Sequence, residues 1–280
     1  MKRLVLIAAV TITVMSVGAA GWIWLRPVNQ ERALARIEKL GGRVYVEESS
    51  RDRPVIKVDL TNCPAGDDDL DYLSAFPQLH YLILAGTRIS GEGLKRLAGL
   101  KQLHGLALGG PAAGGDGLRH LGSLIGLREL RLEDTTFTDA GLTHLSQLIA
   151  LESLELAEVP LTDDGLRRLT ALLNLQRLSL HGTAITSAGL AHLAGLRGLE
   201  ELNLSSPRIG DTGMNHLRGL KNLQELSLAD TAVSDSAVAH LKSLTQLREL
   251  DLSNTRISEA GLAELRRALP SAFIYRTPAK

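Results

Sequence analysis

The stretch LRELRLEDTTFTDAGLTHL, residues 127–145, decides the fold of this chain of 280 residues. Its first leucines have the spacing L-x-x-L-x-L, and Thr, Asp and Gly follow at fixed offsets before two further leucines. The same spacing returns every 24 residues, in units that begin at Leu79, Leu103, Leu127, Leu151, Leu175, Leu199, Leu223 and Leu247, and in a weaker form at Val55. A constant period of this length predicts an array of stacked, similar units.

Each unit predicts a strand, a turn, a helix and a second turn, with positions counted from 1 to 24. The L-x-L pair has the two-residue period of a strand. A Thr at position 9 can satisfy backbone groups of the following turn, and a Ser or Thr at position 12, often before Asp, predicts a helix start. Gly at position 15 allows the next unit to approach closely. Leucines at positions 16, 19 and 22 are expected to face inward.

Stacking of such units predicts a curved array. Strands stack about 4.8 Å apart and helices about 8–10 Å apart, so the parallel sheet should lie on the concave side. Position 9 departs from Thr at Pro111, Val159 and Pro207. The segment 109–115 has almost no side chains, which predicts the most mobile or distorted turn of the array. No Lys-Ser/Thr follows it, so it is not expected to be a phosphate-binding loop.

The amino terminus has the composition of a membrane segment. Lys2 and Arg3 precede residues 4–25, which are 22 uncharged residues. As a helix this run would be about 33 Å long, enough to cross a bilayer core. Trp22 and Trp24 lie at its far end, as in an interfacial aromatic belt. We therefore predict that residues 1–26 form a transmembrane anchor with the repeats outside the cytoplasm. The alternative is a cleaved signal peptide and a secreted protein.

Residues 27–54 predict a linker and an amino-terminal cap. Pro27 is expected to break the first helix, after which Ala33, Leu34, Ile37 and Leu40 recur at helical spacing. Residues 44–46 predict a short strand. The repeats then occupy residues 55–270, and residues 271–280 predict a closing strand and tail. Caps of this kind cover the apolar ends of a repeat array.

Charge and cysteine content limit the possible functions. The whole chain has 31 basic and 31 acidic residues, and three of the basic ones precede residue 27. The remainder is slightly acidic, which argues against nucleic-acid binding. The single cysteine, Cys63, cannot form an internal disulfide. It occupies a turn position of the weakest unit, so we interpret it as a packing residue rather than a nucleophile.

These units resemble leucine-rich repeats of the ribonuclease-inhibitor-like and cysteine-containing types. More closely, they are similar to the pattern L-x-x-L-x-L-x-x-T-x-[IV]-[ST]-D-x-G-L of exported or membrane-anchored bacterial leucine-rich-repeat proteins. The resemblance covers residues 55–270. It implies a right-handed α/β solenoid with a parallel concave sheet and convex helices. It also implies a protein-binding scaffold and carries over no catalytic residue, so an enzyme is not expected. We further expect a monomer without a cofactor.

Positions 3, 5, 7 and 8 are predicted to face the concave side, where a partner would bind. These positions are mostly small or apolar in the units that begin at Leu79 and Leu103, and they become charged from the unit at Leu127 onward. We therefore predict an acidic face for a protein with a basic surface or for an envelope polymer, interrupted by a basic spot at Arg177 and His181. The candidate residues are Tyr81, Glu129, Arg131, Glu133, Asp134, Glu155, Glu158, Arg177, His181, Glu201, Asn203, Glu225, Asp230, Glu249 and Asp251. The alternative is a solvated face on a structural spacer without a specific ligand.

Position 18 carries a column of histidines. They are His120, His144, His192, His216 and His240. Zinc requires its ligands about 2.1 Å from one centre, whereas neighbouring helices are expected about 8–10 Å apart. We therefore predict polar-tipped helix flanks at these positions and no metal site.

Overall fold

A computed structural model describes residues 25–110, 115–133, 135 and 137–277. The described residues contain an eleven-stranded sheet whose strands lie in chain order. The strands are β1 (Arg43–Val46), β2 (Val55–Asp59), β3 (Tyr81–Leu84), β4 (Gly105–Gly109), β5 (Glu129–Glu133), β6 (Ser153–Glu155), β7 (Arg177–Ser179), β8 (Glu201–Asn203), β9 (Glu225–Ser227), β10 (Glu249–Asp251) and β11 (Phe273–Tyr275).

The sheet is parallel from β2 onward, and β1 is antiparallel to β2. Paired residues in the parallel part differ by 24 in number, as Leu106 pairs with Leu130 and Leu250 with Ile274. Side chains that share a position in the unit therefore lie side by side in rows across the sheet. This register makes each row a continuous feature of the surface or of the core.

The return segments between strands are mostly 3₁₀ helices, not the α-helices of the predicted α/β solenoid. The 3₁₀ segments are Asp67–Ala75, Gly93–Gly99, Gly115–Ser123, Gly141–Gln147, Leu169–Ala171, Gly189–Leu193 and Asp235–Ala237. The α-helices are α1 (Leu25–Lys39), α2 (Asp163–Arg168), α3 (Asp211–Leu217), α4 (Val238–Leu241) and α5 (Glu259–Ala268). A 3₁₀ helix has three residues per turn, so leucines spaced by three all face inward. Leu94 and Leu97 are fully buried in this way, and Leu100 is nearly so.

Leucine rows form one core along the whole array. The strand leucines, such as Leu130 and Leu132, are fully buried, and Phe76 and Phe137 are the largest buried side chains. Cys63 is 6% exposed and directs its Sγ toward the Thr61 carbonyl, as expected for a packing residue. Stacked leucines thus replace the aromatic residues of most globular cores.

Acidic residues at position 13 connect successive repeats, a contact that the sequence did not predict. Asp163 accepts hydrogen bonds from the backbone N–H of Thr186 at 2.8 Å and from its hydroxyl at 2.6 Å, 23 residues along the chain. Four other pairs repeat this arrangement: Asp67 with Ser90, Asp139 with Thr162, Asp211 with Ser234 and Asp235 with Ser258. The residue that we interpreted as a helix start therefore also joins neighbouring units.

Glycine at position 15 lies beside this carboxylate in several units, and Ala237 fills the position in the unit that begins at Leu223. A Cβ on Gly189 would be 2.1 Å from Asp163 Oδ1, and one on Gly165 would be 2.2 Å from Asp139 Oδ1. The close approach predicted for the next unit is wrong in direction, since the side chain that reaches each of these glycines belongs to the preceding unit. At position 9, the Thr183 hydroxyl donates to the Leu180 carbonyl at 2.8 Å, and Thr87, Thr231 and Thr255 do the same in their units.

Helix α1 caps the first repeat. Ala33, Ile37 and Leu40 are buried against it, whereas Leu34 is exposed. The Arg36 Nε donates to Asp69 Oδ1 at 2.6 Å. Burial alone would raise the pKa of the Asp69 carboxyl, but the hydrogen bonds from Arg36 and the Gly66 N–H outweigh burial and lower that pKa.

The expected helix break at Pro27 is wrong, since α1 begins at Leu25 and runs through it. Proline is tolerated in the first turn of a helix, where its missing N–H has no intrahelical partner. The predicted apolar helix of residues 4–25 lies outside the described residues except for Leu25. Among the helices that are described, none combines the length and apolar character needed to cross a bilayer.

Candidate functional site: the exposed sheet face

The exposed sheet face is the side of the sheet opposite the core, and it carries the side chains of positions 3, 5 and 7. Strand β5 shows the alternation: Leu130 and Leu132 are buried, and Glu129, Arg131 and Glu133 are accessible. This alternation follows from the two-residue period of a strand. The polarity of the face predicted as concave is therefore set by the residues that alternate with the buried strand leucines.

Next to β3, the face has a strip with almost no side chains, at Gly105, Ala107 and Gly109 of β4. The ring of Tyr81 covers Gly105, because a Cβ there would be 2.4 Å from the ring atom Cδ1. Tyr81 is still 40% exposed. This predicted site residue therefore packs partly on the scaffold and partly faces solvent.

The middle of the face contains charges that neutralise one another. Arg131 Nε lies 3.1 Å from Glu155 Oε2, and Arg177 Nε donates to the Ser153 hydroxyl at 3.4 Å. Exposed ion pairs of this kind contribute about 0–1 kcal/mol to stability. They nevertheless remove Glu155 and Arg131 as free charges. The face therefore offers fewer unpaired carboxylates than the sequence predicted.

Three glutamates at position 3 lie next to one another on β8, β9 and β10. Glu201 pairs in register with Glu225, which pairs with Glu249. Burial raises the pKa of Glu201, and the neighbouring carboxylate of Glu225 raises it further. Both effects disfavour the charged form of Glu201. Asp251, at position 5 of β10, adds a fourth carboxylate to the same end of the face.

Tyr275 of β11 closes this acidic end. Its hydroxyl donates to Glu249 Oε1 at 3.0 Å. Burial, this hydrogen bond and the nearby carboxylates raise the pKa of Tyr275 to about 12. The phenol therefore stays protonated and remains a hydrogen-bond donor to the glutamate row.

A shallow depression of about 320 Å³ runs along the face from Arg131 on β5 to Tyr275 on β11. Its floor consists of the polar side chains of positions 3 and 5, with strand leucines beneath. The depression places eight of the predicted residues together. They are Arg131, Glu155, Arg177, Glu201, Asn203, Glu225 and Glu249, with Asp251 at the far end.

Position 8 was predicted to face a partner together with positions 3, 5 and 7. In the structure it lies in the turn after the strand. Glu158 and Asp230 have φ of 55° and 59°, in the left-handed region that favours glycine or asparagine. The Glu158 carboxylate lies 3.2 Å from His181 Nε2, so the basic spot predicted at His181 faces an acid. Asp230 accepts from the Asn254 amide at 2.9 Å. The glycines at this position in other units signal the turn, and Asp134 lies outside the described residues.

Asn203 and Asp251 also serve the scaffold. The Asn203 side-chain oxygen accepts from the Ser205 N–H at 3.1 Å, and the Asp251 carboxylate accepts from the Ser253 N–H at 2.8 Å. Each closes the end of its own strand by an Asx-type turn. The glutamate row, like Glu129 and Glu133 on β5, is therefore not explained by a hydrogen bond of the repeat scaffold, apart from the Tyr275 contact. It differs from those two residues in that its three carboxylates lie on adjacent strands.

The side chains of the histidine column are partly buried, and Cys63 is buried in the core. His120 Nε2 lies 3.6 Å from Glu92 Oε1. Within the described ranges, no three histidine, cysteine or acidic side chains are grouped as metal ligands would be. Burial raises the pKa of the Cys63 thiol, which disfavours the nucleophilic thiolate.

Comparison with known proteins gives a partial family match and a shared fold. The leucine-rich-repeat family model matches residues 173–233 and 197–257. Among curated protein sequences, none matches the chain.

Three solved structures have the same fold at low sequence identity. An internalin (InlF) of Listeria monocytogenes aligns with 79% of the chain at 23% identity and a TM-score of 0.62. Internalin C2 of the same species aligns with 88% at 20% identity and a TM-score of 0.50. A leucine-rich-repeat protein of Leptospira interrogans aligns with 73% at 20% identity and a TM-score of 0.51.

The alignments span 59%, 92% and 56% of these three proteins respectively. At such low identity they show the fold alone. The leucine-rich-repeat family model thus matches residues 173–257, and the described array is similar in fold to these bacterial leucine-rich-repeat structures.

Proposed function

We propose that this protein is a membrane-anchored interaction scaffold that binds a basic partner at the glutamate row of Glu201, Glu225 and Glu249. The observation that carries the proposal is their in-register stacking on an exposed face. Adjacent strands are about 4.8 Å apart, so the three carboxylates repel one another in the free protein. A cationic partner would relieve that repulsion.

The repeat scaffold does not require acidic residues at these positions. The same position is Gly105, Ser153 and Arg177 in other units, with the same register and the same buried leucines. The acidic residues of the scaffold lie instead at position 13, where they join the repeats. The unfavourable glutamate row is therefore best explained by a ligand.

The proposed attachment to the membrane rests on the sequence of residues 4–25. That run is uncharged and long enough to cross a bilayer, and the repeats follow it outside the cytoplasm. A secreted form after cleavage is the alternative. Carbonate-resistant sedimentation with membranes supports the anchor, and release of the chain into the soluble fraction refutes it.

The experiment for the partner site is crosslinked capture from intact membranes with a triple Gln variant of Glu201, Glu225 and Glu249. Its matched control carries the same loss of charge at the exposed acidic residues Glu31, Glu38 and Asp52, away from the face. Three exposed charge pairs are worth about 1–3 kcal/mol in total, so capture should fall roughly 5- to 150-fold in the triple variant only. It should also weaken with added salt.

Equal capture by the triple variant and the control would refute the site. If neither the wild type nor either variant captures a partner, the protein is better explained as a structural spacer of the envelope. Circular dichroism of each variant establishes that the repeats remain folded before capture is compared.

A further inference from the structure

Three exposed aliphatic side chains lie in a row at one edge of the array. Ile125, Ile149 and Leu173 are 67%, 63% and 63% exposed. All three occupy position 23 of consecutive repeats, in the turn that leads into the next strand. Most other large apolar side chains of the described residues are at least partly buried, and the exposed exceptions are Leu34, Tyr72, Tyr81 and Phe273. None of these four shares its position with an exposed apolar side chain of a neighbouring repeat, so the contiguous exposure of the row marks an interaction surface.

Cations bracket the aliphatic row at the same position of the flanking repeats. Lys101 precedes it, and Arg197 and Lys221 follow it; all three are exposed. Among the described residues, none of the three takes part in an ion pair. Lys101 and Lys221 donate instead to the backbone carbonyls of Ser123 and Ser243, at position 21 of the next repeat. We call these six position-23 residues the edge row.

Two backbone carbonyls of the edge row already accept hydrogen bonds. The Asn174 amide donates to the Ile149 carbonyl at 2.8 Å, and the Asn222 amide donates to the Arg197 carbonyl at 3.0 Å. A partner strand could not pair there without displacing these bonds. The row also contains no Trp or Tyr, the side chains that anchor most protein interfaces. These features favour a binding partner that does not have to match the edge row in shape.

The chain enters the described structure at the same edge. Gln30 of α1 donates to the Ala75 carbonyl at 3.3 Å. Ala75 occupies position 21 of the first repeat, the position whose carbonyls Lys101 and Lys221 reach in later repeats. Leu25, where α1 begins, is about 7.5 Å along the helix from Gln30. The described chain therefore begins near the edge row, where the proposed anchor would join it.

We propose that the edge row rests on an anionic lipid surface, namely the membrane that residues 4–25 enter. Ile125, Ile149 and Leu173 would insert at the boundary between headgroups and acyl chains, and Lys101, Arg197 and Lys221 would contact the lipid phosphates. The inference rests on the proposed anchor. Its consequence is that the array lies along the membrane and leaves the exposed sheet face free for a partner.

A second copy of the chain fits the edge row poorly. A two-fold axis through Ile149 would place Lys101 of one copy against Arg197 of the other. Like charges in contact oppose such a dimer. An anionic surface complements all three cations at once.

Lipid contact can be measured with a fluorophore on an introduced cysteine. The full chain would carry Ile149→Cys or, as the matched control, Ala188→Cys, an exposed residue at the start of a return segment rather than its end. The native Cys63 is buried and should resist labelling. Each labelled chain is reconstituted into phosphatidylcholine vesicles with or without phosphatidylglycerol, in which some lipids carry a quencher on the acyl chain.

The expected result is quenching of the label at residue 149 and not at residue 188, with stronger quenching in the anionic vesicles. Replacing Lys101, Arg197 and Lys221 with Gln should lower the ratio of lipid-contacting to free label roughly fivefold per cation. Equal brightness at the two positions would overturn the proposal. So would equal quenching in both kinds of vesicle.

Other occupants give different outcomes, each of which would also overturn the proposal. Shielding of residue 149 from aqueous iodide that rises with protein concentration, without lipid, indicates a second copy. Shielding that requires membrane proteins in the vesicles indicates an acidic protein.

Sedimentation distinguishes the edge row from the anchor. Salt-resistant sedimentation with neutral vesicles reports residues 4–25 alone. If the chain sediments and residue 149 does not contact lipid, the edge-row proposal fails and the anchor stands. If salt releases the chain and residue 149 is quenched in anionic vesicles, the anchor fails and the edge row stands. Failure to sediment with any vesicle overturns both.

Discussion

Replacing Gly189 with Ala should destabilise the protein through the contact between successive repeats. The new Cβ would lie 2.1 Å from Asp163 Oδ1 and 2.6 Å from its Cγ. The carboxylate would have to move, and its hydrogen bonds with Thr186 would lengthen. The unit that carries Ala237 at this position keeps the corresponding bonds between Ser234 and Asp211, so the loss should be partial. The expected effect therefore arises from a neighbouring unit and not from the glycine's own turn.

The magnitude follows from the two hydrogen bonds. Hydrogen bonds to a charged group contribute about 1.5–3 kcal/mol each, and partial exposure of Asp163 favours the lower end. Ala is preferred over Gly in helical backbone by up to about 1 kcal/mol, which offsets part of the loss. The free energy of unfolding should thus fall by about 1–3 kcal/mol. For a protein of this size the melting temperature should fall by about 3–10 °C.

Urea and thermal unfolding measure this change, with Gly195→Ala as the matched control. A Cβ on Gly195 meets nothing within 4 Å, so that variant should change the free energy by less than about 0.5 kcal/mol. Removing the carboxylate first, in an Asp163→Ala background, should make Gly189→Ala nearly neutral. The reasoning is refuted if both Gly variants melt alike, or if Gly189→Ala costs the same in that background.

Further predictions concern titration and thiol reactivity. Hydrogen bonds from Ser258 lower the pKa of Asp235, so its ionised form adds stability that is lost as the pH falls into the acid range. In thermal unfolding experiments, the Asp235→Asn variant should therefore lose less stability than the wild type as the pH is lowered. Its environment raises the pKa of Tyr275 to about 12 in the folded protein. The free energy of unfolding should therefore fall as the pH rises from about 10 to about 12, because the phenol ionises first in the unfolded chain. Tyr275→Phe should flatten that fall in alkaline urea titrations; an unchanged slope would count against it. Cys63 should react with Ellman's reagent only after unfolding; fast reaction of the native protein would contradict its burial.

The sequence alone determined the repeating architecture, because the leucine period is a local pattern. Leucines at fixed offsets can be buried together only if successive units stack. The same period predicted that positions 3, 5 and 7 face outward, as Glu129 and Arg131 do. It did not reveal that leucines spaced by three form 3₁₀ segments, although three residues per turn fits that spacing better than an α-helix does.

The tertiary structure decided which polar residues belong to the scaffold. Asp163 and Thr186 are 23 residues apart, and only stacking brings the carboxylate to the next unit's hydroxyl. The turn after each strand likewise gives Glu158 a left-handed backbone, a conformation that its residue type does not predict.

Among the fifteen predicted site residues, the structure distinguishes charges that have an opposite partner from charges that do not. Arg131 and Glu155 neutralise each other across neighbouring strands, whereas Glu201 lies against another glutamate. Exposure was also decided in three dimensions, since Ile149 carries an apolar side chain like many core residues and lies in solvent. The physical reason is common to all these cases. The sequence fixes each residue's position within its unit, but contacts between units determine its partners.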